Sequence, residues 1–326
     1  MYNMTVEEFR TKIREYGTRE IPFIFVIDFE MKKPFVCKLN EAPKNNVYYD
    51  IKGKTNFSRT KVFKRIKVFT KYPIQKEKYL EAFKLVKEYI NRGDTYLLNL
   101  TFKTRVETDC TLQELFYFSE APYKLFFNDE FIVFSPECFI KIKDNQIFSY
   151  PMKGTIDAGI PDAEDKILNN KKELYEHNTI VDLIRNDLSI ISENVEVTKF
   201  RYIDKIKTNQ TDLLQVSSEI RGRLPEDWKT QLDEILIKML PAGSISGAPK
   251  QKTLEIIRKA EKEERGYYTG IFGIFDGKSI DSAVCIRYIE STKNGLQFRS
   301  GGGITALSNP DSEYQEMIDK VYVPIS

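Results

Sequence analysis

The stretch "FIVFSPECFIKIKDNQIFSY", residues 131–150, limits the fold more than any other part of the chain. Its short apolar runs, "FIVFS", "CFIKI" and "IFSY", read as strands, and the last two are joined only through "KDNQ". A link that short makes a hairpin and leaves no room for the crossover that a parallel pair needs. Similar runs return late in the chain as "YYTGIFGIFD", "SIDSAVCIRYI" and "LQFRS", separated by "DGK" and "TKNG". "TYLLNLTFKTRV" reads as a further strand. Helical periodicity lies between these blocks. Tyr79, Phe83, Val86 and Ile90 share one face over residues 76–91, with Gly93 at the C′ position. Leu174, Val181, Ile184 and Leu188 form a stripe over 171–188. More helices are expected over 228–240, from Pro249 onward, and after Asn309-Pro310, a favourable N-cap and first turn. Strand and helix blocks alternate unevenly, which predicts an α+β fold rather than a regular βαβ array.

With 41% hydrophobic and 13% aromatic residues, the 326-residue chain can bury a sizeable core, in about two domains or one large one. Fifty basic residues against 48 acidic ones, spread along the chain, leave a net charge of +2 and no footprint for nucleic acid. Cys37, Cys110, Cys138 and Cys285 are far apart in sequence and predict free thiols in a reducing compartment. The N-terminus has no basic segment leading into an apolar block, and "IPFIFVI" is too short to span a bilayer. A cytoplasmic protein with no membrane partner is expected. The single histidine, His177, excludes a multi-histidine metal site and leaves carboxylates and lysines to carry any chemistry.

Two helices carry paired carboxylates. Glu173 and Glu176 are three residues apart in "KELYEH"; Glu313 and Glu316 repeat the spacing in "SEYQEMIDK", and Lys320 extends that face. They are either two solvated faces or the oxygen ligands of a hard cation, of which Mg2+ is the natural candidate. "SGGGIT", expected to follow a strand, offers the amides of Gly301, Gly302 and Gly303 to a carboxylate or phosphate, and "GSISGAPK" leads into a helix N-terminus. P-loop spacing is absent, since Lys250 does not follow a glycine. Lys250, Arg287 and Lys320 add positive charge, so the inventory suits a small ligand with more than one carboxylate. Lys153 in "YPMKGT" stands just past a strand ending at Pro151: either a surface turn lysine or a functional cation beside tight backbone.

Taken in order, "SPECFI", "YPMKGT", "ELYEHNTIVDLIRNDLS", "LPAGSISGAPK", "RGYYTGIFGIFDG" and "SGGGITALSNPDSEYQEMIDK" resemble the chorismate-utilising enzymes over about residues 76–326. That family includes anthranilate synthase component I, aminodeoxychorismate synthase component I, and the isochorismate and salicylate synthases. The resemblance implies a layered α/β sandwich with large antiparallel sheets flanked by helices. Residues 76–326 would form the chorismate-binding catalytic domain, and 1–75 a shortened N-terminal portion packed on the core.

Anthranilate synthases typically have alanine where Lys153 stands, and lysine there is the mark of aminodeoxychorismate synthase. The resemblance therefore implies conversion of chorismate and ammonia to 4-amino-4-deoxychorismate, for p-aminobenzoate and folate synthesis, through a covalent adduct on Lys153. Ammonia would come from a separate glutamine amidotransferase subunit, because the one histidine lies in the helix motif and no Cys-His glutaminase is evident.

Residue by residue, the resemblance makes Glu137 the general acid on the departing hydroxyl. Glu176 and Glu316 would be direct Mg2+ ligands, with Glu173 and Glu313 acting through metal-bound water. Gly301, Gly302, Gly303 and Lys320 would hold the ring carboxylate, Arg287 and Tyr268 the enolpyruvyl carboxylate, and Ser246 or its neighbours would line the pocket. Leu97 occupies the position of the water-activating lysine of the isochorismate and salicylate synthases, where many relatives have glutamine. His177 is expected to orient or pack. The chemistry asks that burial raise the pKa of Glu137 and lower that of Lys153. Anthranilate synthase component I is the alternative within the family. A non-catalytic chorismate- or amino-acid-binding regulatory subunit is the alternative outside enzymes.

Overall fold

The computed structural model describes residues 4–58, 66–206 and 212–324. Two nine-stranded antiparallel sheets pack face to face, with helices on both outer faces. Strand Phe23–Ile27 shows why the sequence folds this way. Its run "FIFVI" is buried throughout, because Phe23, Phe25 and Ile27 join Val181, Trp228 and Leu232 under the helices. Ile24 and Val26 point the other way, into the core shared with Tyr49, Leu125 and Val133 of the second sheet. A strand covered on both sides reads as continuous apolar sequence, and each such side chain contributes roughly 1.5–3 kcal/mol by leaving water.

The predicted hairpin forms between Cys138–Lys143 and Gln146–Ser149, with Asp144 and Asn145 at φ of 52° and 55°. Two successive left-handed residues are the geometry of a tight hairpin turn, and Asp and Asn tolerate it best. The run before them behaves differently. Phe131–Ser135 pairs with Tyr123–Phe127 and Tyr288–Thr292 in the second sheet, whereas Cys138–Lys143 belongs to the first. The chain therefore changes sheets at Pro136-Glu137, and Glu137 is held at the junction between layers.

The N-terminal residues contribute strands to both sheets. Phe23–Ile27 and Phe35–Lys38 close one edge of the first, Val47–Ile51 and Lys54–Thr55 one edge of the second. Helix Val6–Thr18, capped by Thr5 and Glu8 in a reciprocal box, ties itself to the core through Arg10 and Arg14 on buried Asp233.

Two local expectations change. Lys153 is not in a terminal turn: it lies inside strand Met152–Asp157, where the register to Leu213–Arg223 shifts between Met152 and Thr155 and Gly154 has φ of 82°. A bulge re-aims the side chain next to it, and glycine is what allows that backbone. The glycine run is not a loop after a strand but part of one, Gly295–Ile304, with Gly301, Gly302 and Gly303 opposite Thr101, Leu100 and Asn99. Intrinsic strand preference of glycine is poor, and pairing with the long strand Leu97–Thr108 overrides it. Pairing to Tyr288–Thr292 stops at Arg299, so among the described residues Ser300–Ile304 has a strand on one side only.

Candidate active site

Three elements converge on the glycine strand. An added Cβ at Gly302 would lie 3.3 Å from both Glu313 Oε2 and Glu316 Oε1. One at Gly303 would lie 3.0 Å from Glu176 Oε2 and 3.5 Å from Lys153 Nζ. The bare backbone thus brings helix Lys171–Ser189, helix Pro310–Asp319 and the bulged strand of Lys153 to one place. The two helices begin on Asn170 and Asn309, whose side chains cap the first turns and so fix the rotation that presents the glutamates.

Glu176, Glu313 and Glu316 reach the glycine strand, and Glu173 lies beside Gly154 of the bulged strand. Glu176 and Glu313 are only 3% and 2% exposed, and Glu176 Oε1 and Glu313 Oε2 accept no hydrogen bond. Buried carboxylate oxygens with free lone pairs are costly unless a cation answers them. Lys172 Nζ lies 2.7 Å from Glu313 Oε1 and 3.5 Å from Glu176 Oε1, bridging the helices. Among the described residues, no three His, Cys, Asp or Glu side chains are already drawn together as a ligand cluster. Lys320 Nζ donates to Glu316 Oε1 at 2.6 Å and to the Gly301 carbonyl at 2.9 Å. Burial pushes the Glu316 carboxyl up, but Lys320, with Lys172 and Lys153 behind it, outweighs this and holds it below its usual range. Burial dominates at Lys320, whose pKa is lowered despite Glu316. At Glu173 burial and the neighbouring Glu176 raise the carboxyl against the pull of Lys172 and Lys153.

Lys153 Nζ stands 3.5 Å from Glu176 Oε2. The expected depression of its pKa does not occur. Burial alone acts downward, but Glu176, Glu137, Glu173 and Glu316 outweigh it and hold the ammonium above its ordinary range. Glu137 follows the expectation: burial raises its carboxyl, against the opposing effects of Ser244, Lys153, Arg287 and Lys320.

The glycine-rich loop divides its two hydroxyls. Ser246 is fully buried and turned inward, donating to the Ala242 carbonyl at 3.0 Å, so its side chain does not line the cleft. Ser244 donates to Glu137 Oε1. Lys250 is also occupied, pairing with both oxygens of Asp187 at 2.8 Å, and so adds no free positive charge. Arg265, 1% exposed, donates to the Ile245 and Asn99 carbonyls and to Glu261, pinning the loop to strand Leu97–Thr108.

Arg287, with φ of 52°, lies over the Tyr322 ring at 5.3 Å, and its buried Nε has no hydrogen-bond partner. Tyr268 is 4% exposed and its phenol is pushed up to about 12, by burial first. Leu97, 2% exposed, approaches the Gly303 Cβ position to 3.0 Å, an apolar wall beside Lys153 and Glu176. His177 is buried away from the cleft, its Nε2 2.7 Å from Ser218 Oγ, and burial lowers its pKa to about 4. Ser244, Lys172 and Arg265 are the residues that motif reading passed over. All three stand in quoted motifs, Lys172 in "KELYEH", Ser244 in "GSISGAPK" and Arg265 in "RGYYTGIFGIFDG", but nothing local sets them apart from their neighbours.

A site that pairs buried anions with lysines under a glycine strand, at the seam of two antiparallel sheets, suits a small ligand bearing carboxylates. The family of chorismate binding enzymes matches residues 24–326, and the chain belongs to it. It is 51% identical over 325 residues to an uncharacterized PabA-like protein of Haemophilus influenzae, covering 100% of this chain and 99% of that one. It is 33% identical to anthranilate synthase component 1 of Haloarcula marismortui, over 75% of this chain and 52% of the relative. Aminodeoxychorismate synthase component 1 of Salmonella typhimurium is 32% identical over 75% of this chain and 56% of its own. The fold matches the menaquinone-specific isochorismate synthase of Escherichia coli, with TM-score 0.71 and 14% identity, covering 97% and 81% of the two chains. No helix among the described residues is long and apolar enough to cross a membrane.

Proposed function

We propose that the chain is a component I aminodeoxychorismate synthase, aminating chorismate to 4-amino-4-deoxychorismate in p-aminobenzoate and folate synthesis. The observation that carries this reading is the place of Lys153: an amine on a bulged strand, facing Glu176 and in the field of Glu137, in a chain of the chorismate binding family. Identity alone does not separate amination at the two ring positions, since relatives of both kinds stand at 32–33%.

Glu137 supplies a proton to the departing ring hydroxyl, which leaves as water. Burial raises its pKa and so favours the protonated carboxyl, and the Ser244 hydroxyl orients it. Lys153 Nζ, as the neutral amine, forms a C–N bond to the ring as the C–O bond of the hydroxyl breaks; ammonia then attacks the ring of this adduct, and the C–N bond to Lys153 breaks. Arg287 and Tyr268 hold the enolpyruvyl carboxylate, and Lys320 with the glycine strand the ring carboxylate. Leu97 keeps water from the nucleophile.

The oxygen-only donor set, with two buried carboxylates short of partners, fits a hard divalent cation. Mg2+ on Glu176 and Glu316, with Glu173 and Glu313 behind them, would polarise the ring carboxylate and offset the negative charge that keeps Lys153 protonated. Ammonia comes from a separate glutamine amidotransferase subunit, and the enzyme works in the cytoplasm. The test is replacement of Lys153 by alanine: aminodeoxychorismate formation is lost while chorismate still binds, and unchanged turnover would refute the covalent role.

A further inference from the structure

Lys172 is the cation that now joins the two acidic helices. It comes from the first turn of helix Lys171–Ser189, is 27% exposed, and reaches both Glu176 on its own helix and Glu313 on the other. Glu313, 2% exposed, keeps one oxygen without any partner, so the bridge leaves this pocket under-neutralised. Glu176, Glu313 and Glu316 pair here with Lys172, Lys153 and Lys320, and Glu173 adds its charge nearby. Of these lysines, Lys320 is tied to the Gly301 carbonyl, and Lys153 is on the bulged strand. Lys172 hangs from a helix start by a long flexible stem and is part-exposed.

We infer that Lys172 is a built-in counter-cation that competes with the divalent ion for the negative charge of Glu176 and Glu313. It keeps the helices from repelling each other in the metal-free enzyme, and its ammonium swings outward when the ion enters. This rests on the metal reading proposed above. Like charges crowded on shared carboxylates are strongly repulsive where water is scarce, so one cation must yield to the other. The lysine thereby weakens divalent binding and stabilises the empty site.

The experiment is Mn2+ binding followed by the electron paramagnetic resonance of free Mn2+, on wild type, Lys172→Met and Lys172→Arg, each first stripped with EDTA. Lys172→Met is expected to bind Mn2+ about tenfold more tightly, and Lys172→Arg close to wild type. Melting of the same samples provides a second readout: metal-free Lys172→Met melts below wild type and gains more from Mn2+ than wild type does. Mn2+ binding by wild type with equal or weaker binding by folded Lys172→Met overturns the inference and leaves the metal reading intact. Absence of Mn2+ binding in all three proteins sinks the metal reading, and this inference with it.

Discussion

Ser244 and Glu137, 107 residues apart in sequence, are joined by a hydrogen bond from the serine hydroxyl to one carboxylate oxygen. One residue comes from the glycine-rich loop and the other from the crossing between the two sheets, so this contact closes the cleft where the layers meet. The bond favours the ionised carboxyl, whereas burial favours the protonated one, and burial prevails. Removing the hydroxyl should raise the Glu137 pKa further. Ser244→Ala is expected to move the alkaline limb of the kcat/KM profile to higher pH, because the acid form survives longer. An unmoved limb would show that Glu137 is not the group titrating there.

Glu137→Gln should lower kcat by about 10²–10⁴-fold, the range for loss of a general acid, with KM for chorismate little changed. Steady-state kinetics with ammonium as the nitrogen source measures both. A large rise in KM with kcat intact would make Glu137 a binding group instead.

Gly301 and Gly302 are neighbours with different constraints. A Cβ at Gly301 would stand 2.1 Å from the Leu100 carbonyl oxygen, a backbone atom of the paired strand that cannot step aside. Gly301→Ala should therefore cost about 3 kcal/mol or more of folding stability. At Gly302 the nearest atoms are the carboxylate ends of Glu313 and Glu316, which can move. Gly302→Ala is expected to melt near wild type but to bind Mn2+ more weakly. Chemical denaturation and metal titration separate the two; equal stability loss in both would contradict the contrast.

His177 is kept neutral by burial, with its pKa lowered to about 4 from an ordinary 6.5. The unfolded chain takes up a proton at the higher pH, so stability from this group is present above about 6.5 and is lost as pH falls toward 4. The loss attributable to it is roughly 3 kcal/mol. His177→Gln should flatten that part of the stability–pH curve relative to wild type, measured by urea unfolding at intervals from pH 7 to 4. Parallel curves for the two proteins would mean that the imidazole is not held neutral.

Much of the fold was legible because it is written in local pattern. The hairpin at Asp144-Asn145, the helix Lys76–Asn91 and the capped helix after Asn309 follow from short spacings. The antiparallel sandwich flanked by helices follows the family resemblance. What local pattern could not show is which sheet each strand joins. Phe131–Ser135 and Cys138–Lys143 look like sequential partners, yet their pairing lies with Tyr288–Thr292 and Ile280–Val284 in different sheets. The glycine run was misread for a related reason: its strand state comes from Asn99–Thr101, two hundred residues away in the chain order. At the site, residue types and positions were visible, but charge balance was not. That burial would free Lys153 ignored the four carboxylates brought in from two helices and the sheet junction, whose summed field reverses the direction.

The central claim is that this site aminates chorismate at the position governed by Lys153. Purified chain should be incubated with chorismate, Mg2+ and an ammonium salt at alkaline pH, and the products resolved by chromatography with mass detection. The account predicts 4-amino-4-deoxychorismate, absent after EDTA treatment and absent from Lys153→Ala. Anthranilate as the product from wild type would contradict it, and would place this chain with the synthases that aminate the other ring position.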